Sequence, residues 1–325
     1  MHLRKVSRRL SVLVAALVGV VAAASLLFAA AAQRKAAELK AQKLPTNQVS
    51  PPSPRLHSVR TDPSNSFKLY AATAQGLLVS ENAGRAWKPL PIGGKHEEVF
   101  SLAVNPASPD ILYAGRRDGL WKTKDGGRSW TPLPYPASVP IAVAISNRQP
   151  DVLYMATARQ GVHKSTDGGY QWVEVSKGLP EARAGGRTEE IRSLLVHSLD
   201  PNLVLAALSR AGIYRTVDGG GSWHEFNQGL PFPVARPIAP PKLVQDPDNP
   251  TDIYLAFNQP IHSQLTRTRL YLLSENGEWH PVEAELPSNF TVLALTADKA
   301  RGVIQLWGSE TVWEIPLPRG SRSKP

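Results

Sequence analysis

Four stretches of this chain repeat one another, and that repetition limits the fold more than any other feature. VRTDPSNSFKLYAATAQGLLVSENAGRAWKPLP, VNPASPDILYAGRRDGLWKTKDGGRSWTPLP, SNRQPDVLYMATARQGVHKSTDGGYQWVEV and HSLDPNLVLAALSRAGIYRTVDGGGSWHEF share one frame. Each reads as an alternating strand, a polar turn with Pro or Asn, and a second strand ending in small residues. A turn with Gly (Gly76, Gly119, Gly161, Gly212) leads into a third strand, and a Gly-rich turn leads into a fourth that starts at Trp. The recurring Trp87, Trp130, Trp172 and Trp223 lie 43, 42 and 51 residues apart. That spacing is the length of a four-stranded unit stacked radially on its neighbours. Two weaker copies follow: PKLVQDPDNPTDIYLAF with RLYLLSENGEWHPVEAEL, and FTVLALTADKARGVIQLWGSETVWEIPLP, the last with three strands only. The reading is therefore all-β, a β-propeller of six four-stranded blades over residues 56–317. An unclosed ring leaves two bare sheet edges. The segment around residues 44–50 is expected to supply the missing outer strand of the sixth blade.

The last turn of each unit carries the pattern S/T-x-D-x-G-x-x-W. It stands as SENAGRAW (80–87), TKDGGRSW (123–130), STDGGYQW (165–172) and TVDGGGSW (216–223). Asn82 replaces Asp in the first copy; a fifth, SENGEW, has Asn276 and is two residues shorter. An Asp side chain accepts backbone N–H bonds within such a turn, Gly takes a positive φ, and Trp lays its face between strands. The pattern resembles the Asp box of the bacterial neuraminidase repeat family, and the resemblance covers roughly residues 56–317. It implies that Asn82, Asp125, Asp167 and Asp218, with Trp87, Trp130, Trp172 and Trp223, are structural residues. They would sit on the hairpin joining the third and fourth strands, away from the working face. The family spans sialidases, other glycoside hydrolases, sortilin-type receptors and photosystem II assembly-factor propellers. The fold does not choose among these functions.

Residues 1–9 are basic, with Arg4, Lys5, Arg8 and Arg9, and residues 10–32 form a run of 23 without a charge. At about 1.5 Å per residue a helix of that length crosses a hydrocarbon core of about 30 Å. The flanking basic residues stay in the cytoplasm and send the rest of the chain outward. The run reads as a transmembrane anchor. The alternative is a signal sequence cleaved after the small residues 29–32, which gives a secreted protein. Both readings put the body outside the cytoplasm, periplasmic or extracellular. Residues 33–55 follow as a stalk with Pro45, Pro51, Pro52 and Pro54, and residues 318–325 as a disordered tail.

The chain has 37 Lys and Arg against 27 Asp and Glu, a net charge of +10. Ten of those bases and one of those acids lie in residues 1–60, so the remainder is nearly neutral. A charge footprint for nucleic acid is missing from the body. No cysteine is present, which excludes disulfides, thiolate metal sites and a cysteine nucleophile. The eight histidines are scattered without metal-ligand spacing, and no nucleotide or nucleophile-elbow motif occurs. No metal and no cofactor is expected.

A sialidase needs an arginine triad, a Tyr–Glu nucleophile pair and an early F/Y-R-I-P motif. The nearest match, Arg236-Pro237-Ile238, is out of order and in the wrong place. A simpler glycosidase needs two carboxyls about 5–9.5 Å apart. Glu97-Glu98 and Glu189-Glu190 precede the first strands of two blades, which places Glu98 and Glu190 near the mouth of a central channel. They are the catalytic pair if the chain is a glycan-active hydrolase.

Aligning the repeats on the Gly after the second strand exposes one column of arginines. Arg117, Arg159 and Arg210 stand two residues before Gly119, Gly161 and Gly212, with Arg116 alongside. The turn they occupy lies on the face opposite the Asp boxes. The long connections 178–190 and 229–241 open on that same face and add Arg183, Arg187 and Arg236. An arc of planar guanidinium donors suits carboxylate or phosphate groups on a partner. The sequence thus points to a membrane-held, extracytoplasmic, non-catalytic scaffold. Its expected partner is a protein, with a glycan as the second class and a membrane complex as one form of the first.

Overall fold

A computed structural model describes residues 39–44, 49–53, 55–94, 96–134, 138–181, 189–232, 241–262 and 265–317, together with residues 30, 33 and 35. Its strands form six four-stranded sheets arranged as the blades of a β-propeller. Blades 1 to 5 run through residues 56–89, 99–133, 140–174, 191–225 and 242–282, each a simple antiparallel meander. Blade 6 takes three strands from residues 294–316 and its outermost strand, Gln42–Lys43, from the other end of the chain. Among the described residues no helix is long and apolar enough to cross a membrane. The run 10–32 and the tail 318–325 expected from the sequence lie outside the described residues, Ala30 excepted.

The innermost strands, Leu56–Asp62, Val99–Val104, Pro140–Ile145, Ile191–Val196, Lys242–Gln245 and Ala294–Asp298, each touch the next around a closed ring. The second strands are covered on both faces, so burial is unbroken along Leu112–Arg116, Leu153–Thr157 and Val204–Leu208. Every core cluster lies between two adjacent blades. Tyr70 and Leu77 of blade 1 meet Leu102 and Leu112 of blade 2, and Trp307 of blade 6 meets Val59 and Leu69 of blade 1. Small residues in the second strand allow this close approach. A Cβ on Gly115 would stand 2.2 Å from Ser101 Oγ and 2.4 Å from the Pro140 carbonyl oxygen of the next blade.

The repeated turns are built alike. The Thr123 hydroxyl donates to Asp125 Oδ1 at 2.7 Å and accepts the Gly127 N–H at 3.0 Å, while Asp125 Oδ1 accepts the Ser129 N–H at 2.9 Å. Ser165 with Asp167 and Thr216 with Asp218 repeat the arrangement, and Ser80 with Asn82 keeps it with an amide oxygen in place of the carboxylate. These bonds hold the carboxyls of Asp125 (from Ser129 above all), Asp218 (from Thr216) and Asp167 (from the Gln171 N–H) below the usual range. The turns also bind the ring together. Tyr113 Oη and Lys122 Nζ of blade 2 both donate to the Gly168 carbonyl in the turn of blade 3, each at 3.1 Å. Trp223 and Trp279 donate their indole N–H to Val175 and Phe226, just past the outer strand of the preceding blade.

The seam between the last blade and the first uses the same contacts with residues from the N-terminal segment. Gln42 pairs with Glu314 and Lys43 with Trp313, and the Leu44 N–H reaches the Val312 carbonyl at 2.9 Å. The closing strand thus begins two residues before the expected segment 44–50. Val49 and Ser50 instead occupy the place that the end of an outer strand fills elsewhere. Ser50 accepts the Trp87 indole N–H at 2.9 Å, and Val49 is buried against blade 1. Leu39 is buried among blades 5 and 6, so part of the stretch read as stalk is propeller core.

Gly127 joins both functions of its turn, with φ +94° and a Cβ position 2.7 Å from Leu90 of blade 1. Gly94 has a similar φ of +76° in open space. Both Gly→Ala variants should lose about 1–3 kcal/mol to backbone strain. Gly127→Ala should lose more by the cost of parting two blades, measured as a larger drop in urea-unfolding midpoint.

Candidate functional site

The innermost strands build the candidate site in two stacked rings. In blades 1 to 4 the ladder to the second strand slips by one residue at His57, Phe100, Ile141 and Arg192. Such a bulge re-aims the extra side chain, and all four line the narrow part of the channel. Next to them the register aligns Ser58, Ser101, Ala142, Ser193, Lys242 and Leu295, each opposite the small or aliphatic residue two places after the aromatic position of the second strand. Lys242 is the odd member, a long cation where three blades carry serine. Arg60, two residues beyond Ser58 and so on the same face of its strand, lies beside it.

Lys242 Nζ donates to the His57 carbonyl at 2.9 Å, and Arg60 donates to the carbonyl of Val59 at 2.9 Å. Neither meets a carboxylate among the described residues. Burial, reinforced by the charges of Arg60 and Arg192, pulls the Lys242 ammonium down to about 7. Burial likewise lowers Arg60 from its ordinary value. Past Arg60 the channel opens into a wider recess of about 330 Å³ lined by aliphatic residues such as Val104, Val143, Val196 and Val244.

Glu97, Glu98, Glu189 and Glu190 are not among the residues that line the channel, and each has a separate partner. Glu97 pairs with Arg116, and Glu189 caps the Arg210 and Ala211 N–H groups. Glu98 faces the other way and pairs with His57 at 3.0 Å, while Glu190 pairs with Arg192. One acid of each pair thus secures the rim and the other meets a base of the channel. Desolvation lowers the His57 imidazole below its ordinary value, with Glu98 opposing. Glu98 and Glu190 stand on connections to blades 2 and 4, with blade 3 between them.

The arginine column lies on the turns between second and third strands of blades 2, 3 and 4. Arg117, Arg159 and Arg210 are all exposed, and none of their side chains has a partner among the described residues. Arg116 departs from the expected arc. It is 1% exposed, and its guanidinium holds the Ile92 carbonyl at 2.8 Å, Glu97 and Asp118, with Trp121 5.1 Å away. It is a strut between two loops. Arg183, Arg187 and Arg236 lie outside the described residues. From the turn of blade 5 on the same face rises a long hairpin, Ile253–His262 paired with Leu265–Leu273. Single-strand patterns missed Lys242, Arg60 and Arg192. Stacking the repeats on the aromatic residue of the second strand exposes Lys242 as the outlier of its column.

Lys242 is charged in the unfolded chain up to its ordinary 10.5 and neutral in the folded one above about 7. Its charge therefore opposes folding fully below pH 7, and the opposition fades between pH 7 and 10.5. Lys242→Met should be more stable than wild type by on the order of a few kcal/mol below pH 7 in low salt. The gap should close toward pH 10.5, as followed by denaturant unfolding across pH.

No family model and no curated relative matches the sequence. Solved structures do resemble it. A GH74 enzyme of Niastella koreensis superposes with a TM-score of 0.62 at 18% identity, over 80% of this chain and 42% of that one. The WD40 repeats of RRP9 give 0.56 at 12%, over 86% and 98%. YCF48 from Cyanidioschyzon merolae gives 0.52 at 14%, over 85% and 99%. The chain spans about half or less of the length of the GH74 hydrolases it matches. Enzymes and non-enzymes share this likeness, and what it establishes is the β-propeller fold.

Proposed function

We propose that the chain is a non-catalytic binding scaffold that receives a protein partner on its loop-rich face. One observation carries this reading: Arg117, Arg159 and Arg210 are exposed on equivalent turns of three consecutive blades, without side-chain partners among the described residues. Guanidinium groups fixed on a rigid rim recognise carboxylates in two-point geometry. The blade 5 hairpin adds a wall on the same side. YCF48 and RRP9 have this fold too, which agrees with a scaffold without selecting a partner. Weighing against hydrolysis, Glu98 is engaged by His57 and Glu190 by Arg192, and the two stand on connections to blades 2 and 4 with blade 3 between them, whereas a glycosidase pair flanks one bond. Residues 10–32 are proposed to hold the propeller on the outer side of a membrane.

Pull-down from solubilised membranes tests the scaffold. Wild type should retain a partner that Arg117→Ala/Arg159→Ala/Arg210→Ala loses, with unchanged thermal unfolding. Equal recovery by both proteins removes the role of the arc, and turnover of a polysaccharide that Glu98→Gln abolishes replaces the scaffold with the hydrolase. For the anchor, the full chain should stay with membranes after an alkaline wash and keep its N-terminal residues. A soluble product beginning after Ala32 identifies a cleaved signal instead.

A further inference from the structure

We propose that the narrow part of the channel is a binding site for a small monovalent anion, a halide or a free carboxylate, held between Lys242, Arg60, Arg192 and Ser58. The site is separate from the rim arginines and does not depend on the scaffold reading. Three observations converge on it.

The first is charge. The narrow section of the channel is lined by Arg60, Arg192 and Lys242 from blades 1, 4 and 5. Glu190 answers Arg192, and Glu98 faces His57. The charges on Lys242 and Arg60 are left over. Two such cations in a partly desolvated space repel each other strongly unless an anion joins them.

The second is a set of unspent donors. Ser58 Oγ and Arg192 Nε are both buried without a hydrogen-bond partner among the described residues, although both residues line this space. Buried donors are rarely left so, and each one unsatisfied costs about 1–3 kcal/mol. An acceptor placed among them satisfies both and accepts from Lys242 as well.

The third is size. The free space is about 30 Å³, enough for one or two water-sized groups. Phe100, Ile141 and Leu243 also line it, with side chains that do not hydrogen-bond and so do not favour a large hydrated ion. Chloride or the head of a carboxylate matches that room. The serine and alanine residues at the equivalent positions of blades 1 to 4 are what leave the space open.

Chloride itself is the probe. The ³⁵Cl linewidth in solutions of the full chain in detergent should show an excess that acetate removes by competition. Lys242→Met and Arg60→Gln should each weaken that binding about tenfold or more, as expected for one charge-assisted hydrogen bond. Both variants must keep a cooperative thermal transition, and either one alone suffices for the comparison. Arg117→Ala/Arg159→Ala/Arg210→Ala should leave the excess linewidth unchanged. Absence of broadening in wild type, equal broadening in the folded channel variants, or its loss in the rim variant overturns the site. Displacement by inorganic phosphate at lower concentration than acetate overturns the assigned ligand class.

Discussion

No blade of this propeller has a core of its own. Each apolar cluster sits between two blades, so a blade is buried only by having neighbours on both sides. A four-stranded sheet of this size is marginal when isolated; in a ring its second strand is covered on both faces. That dependence fixes the rest of the molecule. It requires small residues such as Ala72, Gly115, Ala156 and Ala207 in the second strands. It also places turns where a hydroxyl, an Asx oxygen and a positive-φ glycine lock one blade against the last.

Closing the ring brings six innermost strands to one axis, and there the repeat is broken to purpose. The same register position carries serine in blades 1, 2 and 4, alanine in blade 3 and lysine in blade 5. The bulge just before it brings His57 and Arg192 to the same space from blades 1 and 4. Charges far apart in sequence therefore meet in one narrow, partly desolvated space. The acidic pairs just before two innermost strands serve two sides at once, one acid on a rim turn and its neighbour on a base of the channel.

The blade count and the repeated turns were legible because they are local: the motif, its spacing and its glycines recur in each unit. The position of Arg117, Arg159 and Arg210 on one kind of turn was legible for the same reason. Arg116 was not, because its fate depends on whether it ends the strand or begins the turn, and one residue separates burial from exposure. The closing strand was placed two residues late since only two residues, Gln42 and Lys43, pair. Its apolar flanks Leu39 and Leu44 matter more than its β-propensity. The channel cations stayed hidden for a non-local reason: Arg60 and Lys242 look like ordinary polar positions until the ring superimposes their strands.

The seam gives this molecule a direction in time and under load. The residues that close it come from opposite ends of the chain, so Gln42–Lys43 waits as an unpaired edge until Val312–Pro316 has been made. Five blades exist meanwhile as an open arc with two exposed edges, a long-range contact that slows completion and invites pairing with other chains. The finished ring inherits a matching mechanical asymmetry. Any pull applied through the N-terminal segment acts first on the Lys35–Asp252 ion pair, on buried Leu39 and on the Ala41–Ala284 bond, then on the two-residue ladder and Leu44. Tension would unzip the sixth blade edge first, leaving the arginine-bearing blades 2 to 4 intact.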